Sequence, residues 1–293
     1  FLKKYKPWGV ILFSRNIKSI YQTQKLTSHI KRLFNDNCYP ILIDEEGGKV
    51  SRLNKFIDNS IFSAKFFSNL YIKDKKKFNI YFNIYIKQIS HLLNLLGINI
   101  NTSPVLDVRR KTTNNVIGNR SFSSNPFLVS KLGRISISKY HKNNIGTVMK
   151  HIPGHGLSKV DSHTKLPIVN HNINILSQID FYPFKNQNAF LAMTAHIIYS
   201  SIDSKYTATH SKKIINIIRK KIGFKNLILS DDISMKALKY SISKNTTQAF
   251  NAGCNLVLHC NGSYKEMLMV GKNSPLLSNF VIKKTSQLMN IIR

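Results

Sequence analysis

Along this chain the apolar positions follow two alternating rhythms. Short aliphatic or β-branched runs occur at GVILF (9–13), YPILI (39–43), ININTSPVL (98–106), GTVMKH (146–151), FLAMTAHII (190–198), NLILS (226–230) and NLVLHC (255–260). Compact runs of this kind predict strands. Between them lie longer stretches such as IYQTQKLTSHIKRLF (20–34), IYFNIYIKQISHLLNLLG (80–97) and SKKIINIIRKKIG (211–223), whose apolar residues recur at helical spacing. These predict amphipathic helices. Strand and helix take turns along the sequence, so the sheet is expected to be parallel with helices packed over it.

Length narrows the architecture. A chain of 293 residues suits a single (β/α)8 TIM-type barrel, which typically needs about 250 residues. Residues 1–293 carry no low-complexity linker, repeat or Gly/Ser-rich boundary, so one catalytic barrel domain is expected throughout. The pattern supplies seven strands where a closed barrel requires eight; the first strand is expected to lie upstream of Phe1.

Composition changes this picture less than its magnitude suggests. Lys and Arg number 44 against 13 Asp and Glu, a formal net charge of +31. A nucleic-acid binder would cluster its cations along a face, whereas KKYK, DKKKFNIYFNIYIK and INIIRKKIGFKN spread them over every segment. Whole-chain drift of the kind an A+T-rich genome produces explains this, with weak attraction to anionic surfaces and no specific nucleic-acid partner. No apolar run approaches the roughly 18 residues of a membrane span, and FLKKYKPWGVILF lacks the apolar region and cleavage site of a signal peptide. The expectation is a soluble, cytoplasmic monomer. Cys38, Cys254 and Cys260 form no CxxC pair or zinc spacing and read as small hydrophobes in a reducing compartment.

The scarce acids are more informative. Seven of them, Asp44, Glu45, Glu46, Asp107, Asp161, Asp231 and Asp232, fall in short segments that read as strand ends, where a barrel of this type builds its active site. YPILI runs into DEEGGKVSR, SPVL into Asp107, VMKH into PGHG, LAMTAH into IIYSS, and LILS into DDISM. A single strand-end acid such as Asp107 or Asp232 is as readily a cap for the next helix; five polar strand ends together point to a site. His151 and His155 stand at the spacing of a zinc-binding helix pair, but Pro153 and Gly154 break any helix there, so no metal and no cofactor is expected. His155 reads as structural, and Met193 and Trp8 as core.

The ordered series IDEEGGKVSRL, SPVLDV, VIGNRSFS, KHIPGHG with DSH, MTAHIIY, SDDISM and AGCNLVL resembles the motifs of the bacterial β-N-acetylglucosaminidases of glycoside hydrolase family 3, from about residue 8 to about residue 260. The resemblance implies retaining, exo-acting removal of terminal β-linked GlcNAc from a small carbohydrate substrate. The implied substrate is a peptidoglycan fragment, GlcNAc on anhydro-N-acetylmuramic acid, in cytoplasmic cell-wall recycling. It also implies site residues. Asp231 resembles the nucleophile, with Asp232 facing elsewhere in a structural role, and Asp161 with His163 resembles the acid/base dyad, in which an imidazole donates and then accepts a proton. Asp44, Arg52, Arg120, Lys150 and His151 match sugar-binding residues, and His196 fits a substrate contact or a packed strand-end histidine equally well. Helix capping remains the other reading of Asp44, and solvated surface charge that of Arg52 and Arg120.

Three positions depart from the family pattern: Lys49 for an arginine, Asn226 for a glycine and Leu157 for a polar residue. None removes a reacting group. Two alternatives to the hydrolase follow from the sequence: a phosphorylase on the same site, favoured by the positive charge, and a basic scaffold or nucleic-acid binder on a decayed enzyme fold, which predicts lost catalytic residues. The pairing of Asp161 with His163 favours water as acceptor.

Overall fold

A computed structural model of the chain describes residues 1–110, 117–158 and 165–292. The seven runs that read as strands all contribute to one parallel sheet: β1 (Val10–Leu12), β2 (Ile41–Ile43), β3 (Ile100–Asn101), β4 (Gly146–Ile152), β6 (Leu191–Thr194), β8 (Leu227–Asp232) and β9 (Leu256–Leu258), hydrogen-bonded in that order. Two further short strands, β5 (Ile168–Val169) and β7 (Ile198–Tyr199), pair with each other outside it. The run ININTSPVL narrows to two strand residues, and FLAMTAHII divides between β6 and β7. Pro104 accounts for the first, because it brings no N–H to a ladder; Val105 regains a single bridge to Lys150.

The helices are α1 (Leu2–Tyr5), α2 (Ile20–Phe34), α3 (Ala64–Lys73), α4 (Lys75–Leu95), α5 (Pro126–His141), α6 (Ile173–Gln178), α7 (Lys212–Ile217), α8 (Ile242–Ala252), α9 (Tyr264–Asn273) and α10 (Asn279–Ile292). The stretch 20–34 is α2 from end to end, and Ser19 starts it by accepting the Gln22 N–H, which satisfies one of the donors a first turn leaves open. In α4 the residues Phe78, Phe82, Tyr85, Ile86, Ile89 and Leu93 are buried, an i, i+4, i+7 stripe that faces the sheet. No helix among the described residues is long and apolar enough to cross a membrane.

Two cores result. Ile41 and Ile43 join the large layer between sheet and helices, while the intervening Leu42 joins Ile100, Val148, Leu191, Leu227 and Leu229 on the other face, as the two-residue period of a strand requires. Val281, Leu288 and Ile292 of α10 pack into this second core with Met193, and Trp8 borders it. Its indole N–H donates to the Thr285 hydroxyl at 2.8 Å.

The expected closure into eight strands is not formed. Among the described residues the sheet is a curled parallel half-barrel of seven strands whose outer members, β1 and β9, are not paired to each other. A cavity of about 490 Å3 lies beside both, lined by Trp8, Ile11, Phe13, Leu256, Val257 and Met267 among others. With no strand between them there is no ladder to join their edges; the Arg15 guanidinium, donating to the Cys260 carbonyl, spans the opening instead.

Candidate active site

The three consecutive acids after β2 divide between two tasks. Glu45 serves the loop itself: it accepts from Ser51 Oγ at 3.0 Å, the Arg52 and Leu53 N–H groups at 2.7 and 3.1 Å, and Asn59 Nδ2 at 3.1 Å. Burial nevertheless pushes its carboxyl up. Gly47 lets the chain turn here, at φ +79°, where a Cβ would stand 2.4 Å from the Phe62 carbonyl oxygen. Asp44 and Glu46 both reach Lys150. The ammonium donates to Asp44 Oδ1 at 2.5 Å and lies 2.6 Å from Glu46 Oε1. Arg52 holds Asp44 Oδ2 at 3.0 Å, Thr102 donates to Oδ1 at 2.6 Å, and Arg120 grips Glu46 through Nε at 2.7 Å and Nη2 at 2.8 Å. That fork is the geometry a guanidinium offers and an ammonium does not.

These pairs decide the charges. Burial works against the ionised forms of Asp44 and Glu46, but Lys150 with Arg52 for the first, and Arg120 with Lys150 for the second, outweigh it and hold both carboxyls below the usual range. Burial likewise opposes the Lys150 ammonium, and Asp44 and Glu46 reverse the balance. The result is a fixed, fully ionised floor. Asp44 keeps 19 % of its side chain exposed and is the carboxylate of this floor that a ligand hydroxyl can reach.

Lys150 and His151 are consecutive, yet both face the site. Neighbours in a regular strand point to opposite faces; here the register of β4 against β6 slips between Lys150 and Ile152, and such a bulge re-aims a side chain. A similar slip occurs in β8 against β9 between Leu229 and Asp232, beside Asp231. The two strands with irregular ends therefore carry Lys150, His151 and Asp231 to one place.

His151 donates its backbone N–H to Asp107 Oδ1 at 3.2 Å and sets Nδ1 2.7 Å from Oδ2. Its other nitrogen, Nε2, stands 4.0 Å from Asp231 Oδ2. Burial opposes ionisation of Asp231, and His151, then His196, the Asp232 N–H and Lys150 outweigh it, so the carboxyl is held down. This is a charged carboxylate at a strand end, accepting the Asp232 N–H at 2.8 Å and set beside Lys150 and His151 of the mouth. Such a group can act as a nucleophile toward an electrophilic carbon.

The structure brings Asp44, Arg52, Arg120, Lys150, His151 and Asp231 together. His196 lies beside them, but its ring is engaged by the protein: Nδ1 meets Thr209 Oγ1 at 2.7 Å and Nε2 meets the Asp232 carbonyl at 3.0 Å, so of its two readings the packed strand-end histidine fits better. Asp232 is structural, accepting the Ser234 and Cys260 N–H groups at 3.0 and 3.1 Å. Asp161 and His163 lie outside the described residues. Two further acids belong to the site's surroundings. Asp107 had its strand-end position as a signal but no assigned role; Asp180 had none, standing in a segment, ILSQIDFYPF, that follows none of the apolar runs read as strands. Among the described residues no group of three or more His, Cys, Asp or Glu is arranged to hold a metal ion.

A parallel α/β sheet with an ionised carboxylate among arginines and a buried lysine at its C-terminal mouth fits the sugar-cleaving enzymes as a class. The chain belongs to glycoside hydrolase family 3, whose N-terminal domain matches residues 1–288. It is 34 % identical to a beta-hexosaminidase of Nitrosomonas eutropha over 86 % of this chain and 73 % of that protein. Beta-hexosaminidase A of Pseudoalteromonas piscicida is 32 % identical over 88 % of the chain, which spans only 46 % of that longer relative. Among solved structures, NagZ from Neisseria gonorrhoeae superposes with a TM-score of 0.85 at 30 % identity, over 96 % of this chain and 82 % of that one. The family read from the motif series is thus borne out.

Proposed function

We propose that this chain is a retaining, exo-acting β-N-acetylglucosaminidase. Its substrate on this reading is a peptidoglycan fragment carrying a terminal β-linked GlcNAc on anhydro-N-acetylmuramic acid, cleaved by a cytoplasmic monomer during cell-wall recycling. The observation that carries the proposal is Asp231, ionised at the end of β8 and faced by His151 across 4.0 Å. The names of the relatives, beta-hexosaminidases and NagZ, supply the sugar.

Asp231 attacks the anomeric carbon while the bond to the leaving oxygen breaks, and His163 donates its proton to that oxygen. Water then attacks the same carbon, His163 takes its proton, and the Asp231 carboxylate leaves as GlcNAc is released with its configuration retained. Asp161 orients His163 in both steps, as the third member of a triad does. Asp44 and Arg52 hold the outer hydroxyls of the sugar, and Lys150, His151 and Arg120 complete the pocket.

The test is turnover of a chromogenic β-N-acetylglucosaminide, with the β-glucoside as control and phosphate varied. Wild type is expected to hydrolyse the N-acetyl substrate without needing phosphate. Asp231→Ala is expected to lose about ten-thousandfold or more in kcat, and His163→Ala about a hundred- to ten-thousandfold. Undiminished activity in Asp231→Ala, or equal turnover of the β-glucoside, would overturn the proposal.

A further inference from the structure

Asp107 follows β3 and is fully buried. It nevertheless holds three donors: the His151 N–H at 3.2 Å, the His155 N–H at 2.7 Å and the His151 imidazole at 2.7 Å. The mechanism above does not use it. We infer that Asp107 is a positioning residue that fixes the orientation of the His151 ring, with Nδ1 protonated toward Asp107 and Nε2 turned toward the nucleophile Asp231.

The argument starts from what a carboxylate can do. Burial opposes the charge of Asp107, but His151 and the other donors outweigh it and keep the group ionised, and an ionised carboxylate only accepts. The nitrogen 2.7 Å away must therefore carry a proton. Ring orientation and tautomer are then fixed, and Nε2 is left 4.0 Å from Asp231 Oδ2. The other groups around the ring are His155, with ring centroids 5.9 Å apart, and His196; those around Asp231 are His151 and Lys150 from β4, His196 beyond β6 and the neighbouring Asp232. Among the described residues, Asp107 and Asp231 are the anions that pair with the His151 ring.

An amide cannot replace Asp107. One side of an asparagine there would itself be a donor and would face an N–H of His151 or His155. Asp107→Asn is thus expected to weaken the preference for an Nδ1 proton and to loosen the orientation of the ring.

The inference rests on the glycosidase reading for its kinetic consequence only. Ring 15N spectra of wild type, with His151 assigned by loss of its signals in His151→Asn, are expected to show Nδ1 protonated across neutral pH. Carboxyl 13C titration is expected to place Asp231 about one pH unit or more higher in His151→Asn than in wild type. In kinetics Asp107→Asn is expected to lose about 10- to 100-fold in kcat, with KM within about threefold. A wild-type ring with Nδ1 unprotonated, or an Asp231 titration that stays in place in His151→Asn, overturns the inference without requiring any Asp107 variant to fold. A wild type with no turnover of the N-acetyl substrate sinks the glycosidase reading instead, and the two spectra still decide this one.

Discussion

Lys150 is a buried ammonium with two carboxylates within 2.6 Å, and its value to the protein depends on both. Glu46 also carries Arg120, so Glu46→Gln would leave two buried cations with the single charge of Asp44. Breaking a buried pair from one side typically costs about 3–5 kcal/mol, and urea unfolding of Glu46→Gln is expected to show a loss of that order. The Arg52–Asp44 pair is different, because the Arg52 side chain keeps 26 % of its surface; Arg52→Ala is expected to cost about 1 kcal/mol or less and to act through KM. Equal destabilisation by the two variants would contradict the distinction. Little of this was legible at single positions. In so basic a chain, Arg52 and Arg120 stood out only through GGKVSR and GNRSF, and the partnership of Arg120 with Glu46 spans 74 residues, a separation that no local pattern encodes.

Elements were easier to read than their ends. Helix periodicity located α2 and α4, and apolar runs located every strand of the sheet. The register slips in β4 and β8 were not legible, because a bulge replaces no residue type and shows itself only in pairing. The segment after β4 is fastened in a similarly hidden way. Asp180, beyond α6, accepts the Leu157 N–H at 3.3 Å, and added Cβ atoms on Gly154 and Gly156 would both stand within 3.0 Å of it. Burial, reinforced by Asp107, pushes its carboxyl up to about 8. An acid with a folded pKa above its unfolded one binds more protons folded than unfolded, so it costs stability as pH rises through that interval. His141, His155 and His210 run the other way: burial lowers each to about 4, and stability rises with pH until the unfolded histidines near 6.5 lose their protons. Above that value Asp180 remains, with a slope of up to about 1.4 kcal/mol per pH unit. Stability measured from pH 6.5 to 8 is expected to fall in wild type and to stay flatter in Asp180→Asn. Parallel curves for the two proteins would remove Asp180 as the cause.

For the whole molecule, the seven strands counted in the sequence are the seven that build the sheet, and the expectation that failed was closure, which depends on the meeting of β1 and β9 and not on any property of either run. Charge acts at the same scale. Of the acids, Asp44, Glu45, Glu46, Asp107, Asp180, Asp231 and Asp232 are at or near the site, which leaves Asp36, Asp58, Asp74, Asp203 and Glu266 elsewhere in the described chain. The surface is therefore almost wholly cationic. A net charge of +31 must repel itself most in the compact state. Salt reaches that repulsion, since the screening length falls from about 30 Å at 0.01 M to about 10 Å at 0.1 M, and it scarcely reaches the buried pairs around Lys150. Raising sodium chloride over this range is expected to raise the melting temperature, by about 2–4 °C for each kcal/mol of repulsion relieved, while kcat on a neutral substrate stays constant. Chloride is the salt to use, because sulfate also stabilises through exclusion from the surface. A melting temperature that is flat or falls with chloride would mean that the cations are spaced widely enough, or paired well enough with solvent ions, for their excess to cost the fold nothing.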